Sequence, residues 1–429
     1  MGRRNGRETR HPRRPSPGLT GLVHVAERPG ADPALLATEP SPIRGISRNV
    51  FVLSLVSLCT DISSEMIYPL VPLFLTGVLG ASATIVGVIE GLAEAIANLL
   101  KLVSGRVTDR SGRWRGWVFA GYGLSALAKP LLALATIWPL VLIARVVDRI
   151  GKGARGAPRD ALIAASSDPT ARGRAFGFHR GMDTAGAVVG PLAGLALLAG
   201  SGQNFRLVFL VAFVPAVLGV ILIGRAREPA RPSGASTSPR AVFAYRAAPP
   251  GYRAFLVVGL LFALGNSSDT FLILRAHGLG LGTIATVLAY AVYNLVYAAV
   301  GWPAGAVSDR LGRRPLLVAG FLLFALVYGG MGLATGSGVV WPLLAVYGLY
   351  MALTEGVSKA YITDLVPAEQ RGGALGLYAA ATGGMALISS LLAGLLWDHV
   401  APSAPFYLGG FTALIAAGTL VLVRPSPAA

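Results

Sequence analysis

Apolar stretches of about 20 residues recur along nearly the whole of this 429-residue chain. A segment of that length is what an α-helix needs to cross a hydrocarbon core of about 30 Å. Twelve are legible, at about 51–78, 84–104, 116–136, 139–165, 175–199, 206–224, 254–274, 283–304, 315–335, 340–363, 373–397 and 404–423. Lipid offers no hydrogen bonds to a bare backbone, so such segments must satisfy themselves as helices. The expected fold class is therefore all-α integral membrane, with twelve transmembrane helices. Composition agrees: 54% of residues are hydrophobic and 13% charged, against roughly 25% charged in soluble domains.

The formal net charge of +17 raises the question of a nucleic-acid partner, and six arginines lie within the first fourteen residues. Their distribution answers it. Arg and Lys fall in residues 1–46, the 105–115, 172–174 and 310–314 loops, the 225–253 linker and Arg424, which are alternate connections, whereas the loops near 80, 137, 337 and 400 have none. Arg206 and Arg275 break the pattern. Basic residues in alternate short loops mark the cytoplasmic side, so both termini are expected there, and no nucleic acid is expected as a partner. Residues 1–46, rich in Arg, Pro, Gly and Ser, read as a disordered basic tail rather than a cleaved signal. Cys59 is the sole cysteine, which excludes an internal disulfide and leaves helix packing as its role.

A repeat divides the spans into two sets. Gly105, Asp109, Arg110, Gly112 and Arg113 recur 200 positions later as Gly305, Asp309, Arg310, Gly312 and Arg313. "RGRAFGF" at 172–178 recurs as "RGGALGL" at 371–377, and "SSE" at 63–65 answers "SSD" at 267–269. Matches in one order at nearly one offset imply a duplicated six-helix unit. The expected organisation is a tail at 1–46, bundles at 47–224 and 254–424, a linker at 225–253 and an end piece at 425–429.

The paired Gly-x-x-x-Asp-Arg-x-Gly-Arg motif resembles the loop 2–3 and loop 8–9 signatures of the major facilitator superfamily, over residues 47–424. The resemblance implies two pseudo-symmetric six-helix bundles rocking about a central site, with the motif as a cytoplasmic gate. Simple positive-inside anchoring would account for the arginines but not for Asp109 and Asp309.

Charge inside the spans is the next signal, because a charged side chain at mid-bilayer costs about 2.5–3.5 kcal/mol on insertion scales. The first span holds Asp61 and Glu65, the second Glu90 and Glu94, and the third Lys129 beside Pro130. The fourth places Arg145, Asp148, Arg149, Lys152, Arg155 and Arg159 on one helical face. Arg149-x-x-Lys152-Gly153 is similar to the superfamily's helix 4 motif, whose arginine is associated with proton transfer, although Lys152 stands where Gln is usual. A structural ion-pair network is the alternative for that face. In the fifth span His179 and Asp183 share a face with Gly186, Gly190, Pro191 and Gly194. Gly-x-x-x-Gly-Pro-x-x-Gly resembles the helix 5 motif of proton-coupled antiporters, though small residues at this spacing also simply pack helices. Pro69-x-x-Pro72 resembles a motif of twelve-span drug antiporters.

At equivalent positions the second half exchanges charge for other polar groups. Glu90 and Glu94 correspond to Tyr290 and Asn294, and Asp183 corresponds to Thr382. The expected division is proton coupling through Asp61, Glu65, Glu90, Glu94, Arg149 and Asp183. The substrate path would run past Lys129, Arg145, Lys152, Asp269, Tyr290, Asn294 and Glu355, with Tyr293, Tyr297, Tyr350 and Tyr361 near it. Glu355 and Lys359 are spaced to pair with each other.

No enzyme is expected: the five histidines are scattered, and "GKGARGAP" lacks P-loop spacing. Neither a cofactor nor a metal is implied. The expected partners are a small-molecule or ion substrate, protons and the lipid bilayer, for a monomer in the bacterial cytoplasmic membrane. The resemblance implies a proton-coupled efflux antiporter for a small molecule or drug. Import of an anionic metabolite, or export of an inorganic oxyanion, stays open because the helix 4 stripe is basic.

Overall fold

The structure is a computed structural model describing Gly2 and residues 46–111, 113–168, 171–228, 245–367 and 370–423. The expected tail, apart from Gly2 and Ile46, the middle of the linker and the end piece lie outside the described residues. So do Gly112 and the side chains of Asp109 and Arg110.

Among the described residues fifteen α-helices follow one another: α1 (Arg48–Ile67), α2 (Leu70–Gly77), α3 (Ala83–Ser111), α4 (Trp114–Ala133), α5 (Trp138–Ala165), α6 (Arg172–Gly200), α7 (Phe205–Val211), α8 (Phe213–Ile223), α9 (Pro250–Gly265), α10 (Thr270–Gly278), α11 (Thr283–Leu311), α12 (Arg313–Leu333), α13 (Val340–Asp364), α14 (Arg371–His399) and α15 (Ala404–Val423). The pairs α1/α2, α7/α8 and α9/α10 each run on as one interrupted rod, so the helices make twelve rods. Ten rods are long and apolar enough to cross a membrane; α4 and α5, which carry Lys129 and the basic stripe, are the other two.

The duplication is visible in the packing. In the first half α1 lies on α6 and α8, α3 on α5, and α4 on α5 and α8. In the second half α9 lies on α14 and α15, α11 on α13, and α12 on α13 and α15. The halves meet along two seams, α3 with α14 and α6 with α11. This is the two-bundle arrangement expected from the repeat.

Both leading rods break near a carboxylate. Pro69 cannot continue α1 because it lacks an N–H donor, and α2 begins just after it, a turn beyond Glu65. The second break falls at Asn266–Asp269, whose short polar side chains compete for backbone bonds; Ser268 Oγ accepts from the N–H of Thr270 at 3.4 Å. Gly265 precedes it because Thr412 and Gly409 of α15 leave no room for a Cβ there.

The paired gate motifs are helical for most of their length. α3 and α11 continue through residues 105–111 and 305–311, beyond the spans expected from hydropathy, since a helix need not end where the lipid does. Gly105 packs against Ala157, whereas nothing lies within 4 Å of a Cβ at Gly305, so the first motif glycine is closely packed at one copy only. Gly312 turns the chain with φ +87°, a conformation natural to glycine.

Helix ends explain the two misplaced arginines. Arg206 donates to Ala133 O at 2.8 Å, capping the C-terminus of α4. Arg275 donates to Met331 O at 3.0 Å and Ala334 O at 2.9 Å at the end of α12. At the opposite end of the bundles, Arg115 donates to Gly224 O at 2.8 Å and Arg314 to Leu420 O at 2.8 Å, so the caps repeat in both halves. A guanidinium suits the negative end of a helix dipole. Arg275→Met is expected to lower stability by about 1–3 kcal/mol, read as an earlier thermal unfolding midpoint in detergent.

Candidate functional site

The helix 5 motif sits directly on the carboxylates of α1. A Cβ at Gly186 would stand 2.8 Å from Cβ of Asp61, and one at Gly190 would stand 2.7 Å from Cβ of Glu65. Gly194 likewise faces Met66 O at 2.5 Å. The small residues of α6 thus bring its backbone against the α1 turns that carry Asp61 and Glu65, and Pro191 continues the buried stripe. Further along α6, His179 Nε2 stands 3.6 Å from Asp183 Oδ1. His179 is buried, and neither of its ring nitrogens has a hydrogen-bond partner among the described residues.

The stripe on α5 fans out to three neighbouring helices. Arg145 grips Glu90 of α3 with two bonds, Nε to Oε1 at 2.8 Å and Nη2 to Oε2 at 2.5 Å. Asp148 accepts from Lys129 of α4 at 2.9 Å, and the Lys129 side chain is fully buried. Arg155 donates to Ser125 Oγ at 2.5 Å and stacks 4.6 Å above the Tyr122 ring. Arg159 donates to Ser57 of α1 at 3.2 Å. Glu90–Arg145 joins a residue expected in proton coupling to one expected on the substrate path, and Lys129, also expected on that path, pairs with Asp148 of the α5 stripe. Arg149 and Lys152 have no ion pair with a described residue, and the buried Arg149 Nε lacks a partner.

Between the halves lies a cavity of about 320 Å³. Tyr68, Glu90, Glu94, Asn98 and Arg149 line one wall; the unwound segment Asn266, Ser267, Ser268 and Asp269, with Tyr347, lines the other. Unwound backbone at mid-membrane is tolerated where it borders a cavity. Glu94 accepts from Asn98 Nδ2 at 3.0 Å.

Tyrosine hydroxyls answer the remaining carboxylates. Asp269 accepts from Tyr293 at 2.9 Å and Tyr347 at 2.6 Å. Tyr290 donates to Glu65 Oε2 at 3.0 Å, a bond that joins the second half to the first. Tyr297 donates to Glu355, which also meets Lys359 at 3.1 Å and Arg180 of the first half at 3.8 Å. The Glu355–Lys359 pair matches the sequence reading. Asn294 turns back to Tyr290 O at 3.2 Å, Tyr350 packs against Phe324, and Tyr361 packs against Phe255. Tyr347 and Arg180 were missing from the expected set: only a fold shows which tyrosine reaches a carboxylate 78 positions away.

In the gate motifs, Arg313 bonds Asp309 at 3.1 Å and Asp364 at 2.5 Å, fastening the end of α13 to the motif. Arg310 is exposed, as is Arg113.

The model of the Major Facilitator Superfamily matches residues 53–295 and 271–429. The chain is 34% identical over 385 residues to an uncharacterized MFS-type transporter of Methanocaldococcus jannaschii, covering 88% of this chain and 95% of that protein. It is 26% identical over 326 residues to the multidrug resistance protein MdtH of Aeromonas hydrophila, covering 76% and 81%. Among solved structures it resembles a bacterial homologue of the human lysosomal transporter Spinster, in an inward-facing and occupied conformation, with TM-score 0.71 at 16% identity, covering 90% of this chain and 98% of that one.

Lys129→Met leaves Asp148 buried without its cation and is expected to destabilise by about 3–5 kcal/mol, while Lys129→Met with Asp148→Leu recovers most of the loss, measured by thermal unfolding. Gly190→Val must push α6 from α1, with an expected loss of about 1–3 kcal/mol and of transport in reconstituted vesicles.

Proposed function

This chain belongs to the major facilitator superfamily, a multi-pass membrane transporter and not an enzyme, and we propose that it works as a proton-coupled efflux antiporter. The observation that carries the reading is the Glu65–Tyr290 bond. Glu65 lies beneath Gly190 of the helix 5 motif and is tied by a hydroxyl to the opposite half. A carboxylate so placed links its proton to the relation between the halves: ionised, it accepts from Tyr290; protonated, it carries a hydrogen of its own and no longer draws the hydroxyl by charge. Asp61 and Asp183, on the same α1–α6 seam, complete the proton set, with Arg149 setting the field around it.

In this reading the termini are cytoplasmic, the membrane is a bacterial cytoplasmic membrane and the protein works as a monomer. The substrate is a small molecule or drug, as the name of the Aeromonas relative suggests. It occupies the cavity between Glu94, Arg149 and Asp269. A proton enters from outside, substrate leaves, and the proton is released inside as the halves rock back. The motif residues 105–113 and 305–313 set the cytoplasmic gate.

A second reading, import of an anion, rests on Arg149 and Lys152, which no described carboxylate neutralises within ion-pair distance. Inverted membrane vesicles with an acid interior, a pH-sensitive dye and a panel of drugs, organic anions and oxyanions separate the two. Antiport predicts substrate-dependent collapse of the gradient, reduced at least tenfold by Glu65→Gln and by Asp183→Asn. Silence across the panel, with proton-driven uptake of an anion by right-side-out vesicles, would overturn efflux in favour of import.

A further inference from the structure

The first turn of α3 is capped from the other half of the molecule. A helix begins with four N–H groups that its own carbonyls cannot satisfy, and the nearest side chain, Ser82, reaches only the N–H of Ile85, at 3.3 Å. The rest of the work falls to Asp398, near the C-terminal end of α14. Its Oδ1 accepts from the Ala83 N–H at 3.1 Å, and its Oδ2 from the Thr84 N–H at 2.7 Å and the Thr84 hydroxyl at 2.6 Å. The carboxylate also meets the positive end of the α3 dipole.

Small residues bring the two helices close enough for this. A Cβ at Gly394, one turn before Asp398, would lie 2.6 Å from Ala83 O, and one at Gly87 would lie 2.2 Å from Ser390 O. The α3–α14 seam is therefore backbone against backbone at the end remote from the basic loops. The other seam has no counterpart. The position equivalent to Asp398 at the offset of 199 is Ala199, and Gly282, which precedes α11, offers no side-chain cap.

We propose that Asp398 is a gating residue: it latches the cavity's mouth on the side opposite the basic loops, and its three bonds must break for that mouth to open. The proposal rests on the alternating-access reading but not on protons or a substrate. The bonds form only when the N-terminus of α3 and the C-terminus of α14 touch, so their strength weights the closed state directly. Arg180 with Tyr297 and Glu355 ties the halves nearer the other end, so loosening Asp398 acts on one mouth selectively.

The test uses full-length protein in lipid nanodiscs with Cys59→Ser and spin labels at Val78→Cys and Val400→Cys, two exposed positions on opposite halves at this mouth. Electron paramagnetic resonance gives the distance distribution. Asp398→Ala is expected to raise the ratio of long to short distances about tenfold, as expected for losing a charged helix cap. Thr84→Val, which removes one of the three bonds and keeps the fold, should raise it by about twofold to threefold. A distribution identical to the parent in both variants would overturn the latch, and a fall in thermal stability without any change in distance would reduce Asp398 to a purely structural cap. Failure of proton coupling in the vesicle assay, with the distances shifted as expected, would sink antiport and leave the latch standing.

Discussion

Charge inside a hydrocarbon slab has to be answered by charge or by hydrogen bonds, and α5 does most of the answering here. Its Arg145 and Asp148 hold Glu90 of α3 and Lys129 of α4 in buried pairs. Its Arg155 and Arg159 reach Ser125 of α4 and Ser57 of α1. These contacts orient the first bundle, because removing one member would strand its partner in a medium where an unpaired ion is expensive. Arg149, which lines the cavity, and Lys152 have no ion pair among the described residues.

The two halves repeat their scaffold and diverge in their chemistry. The caps by Arg115 and Arg314 follow the same geometry in each half, whereas the ends of α4 and α12 are capped by arginines from non-equivalent rods, Arg206 of α7 and Arg275 of α10. Capping is a shared requirement of helix ends, met at one end by a duplicated arginine and at the other by different ones. The middle of the membrane differs: the first half keeps cation–carboxylate pairs, whereas in the second Asp269 is held by two tyrosine hydroxyls and Glu355 by one beside its cations Lys359 and Arg180. A tyrosine supplies a donor without adding a formal charge. The second half can thereby hold Asp269 beside an unwound segment with no cation within ion-pair distance among the described residues.

Small residues decide where the helices touch, and hence where carboxylates are shielded. Gly186 and Gly190 lay α6 over Asp61 and Glu65, and Gly394 lays α14 against the start of α3. The first pairing places a motif readable as plain helix packing on top of the acidic face of α1. Packing and shielding are one arrangement there, so the two readings of that motif need not compete.

Hydropathy alone determined the class of fold, because the thickness of lipid sets a length that any sequence must meet; ten of the twelve rods meet it by length and composition, and α4 and α5 do not. The repeat spacing alone determined that the chain is two copies of one plan. Sequence also singled out Asp61, Glu65, Asp269 and the α5 stripe, since charge in an apolar run is conspicuous. What only the tertiary structure decided is which group answers which. A stripe along one helix spans enough angle to face several neighbours, so side chains that look like one cluster in a helical projection go to different partners. Those partners sit 19, 55 or 102 positions away, and their choice depends on helix crossing and register. Neither is written in the local pattern of residues. Lys129, Arg145 and Glu90, expected on the proton or substrate path, form ion pairs in the structure, and Glu65 with Tyr290 is one of the ties between the halves.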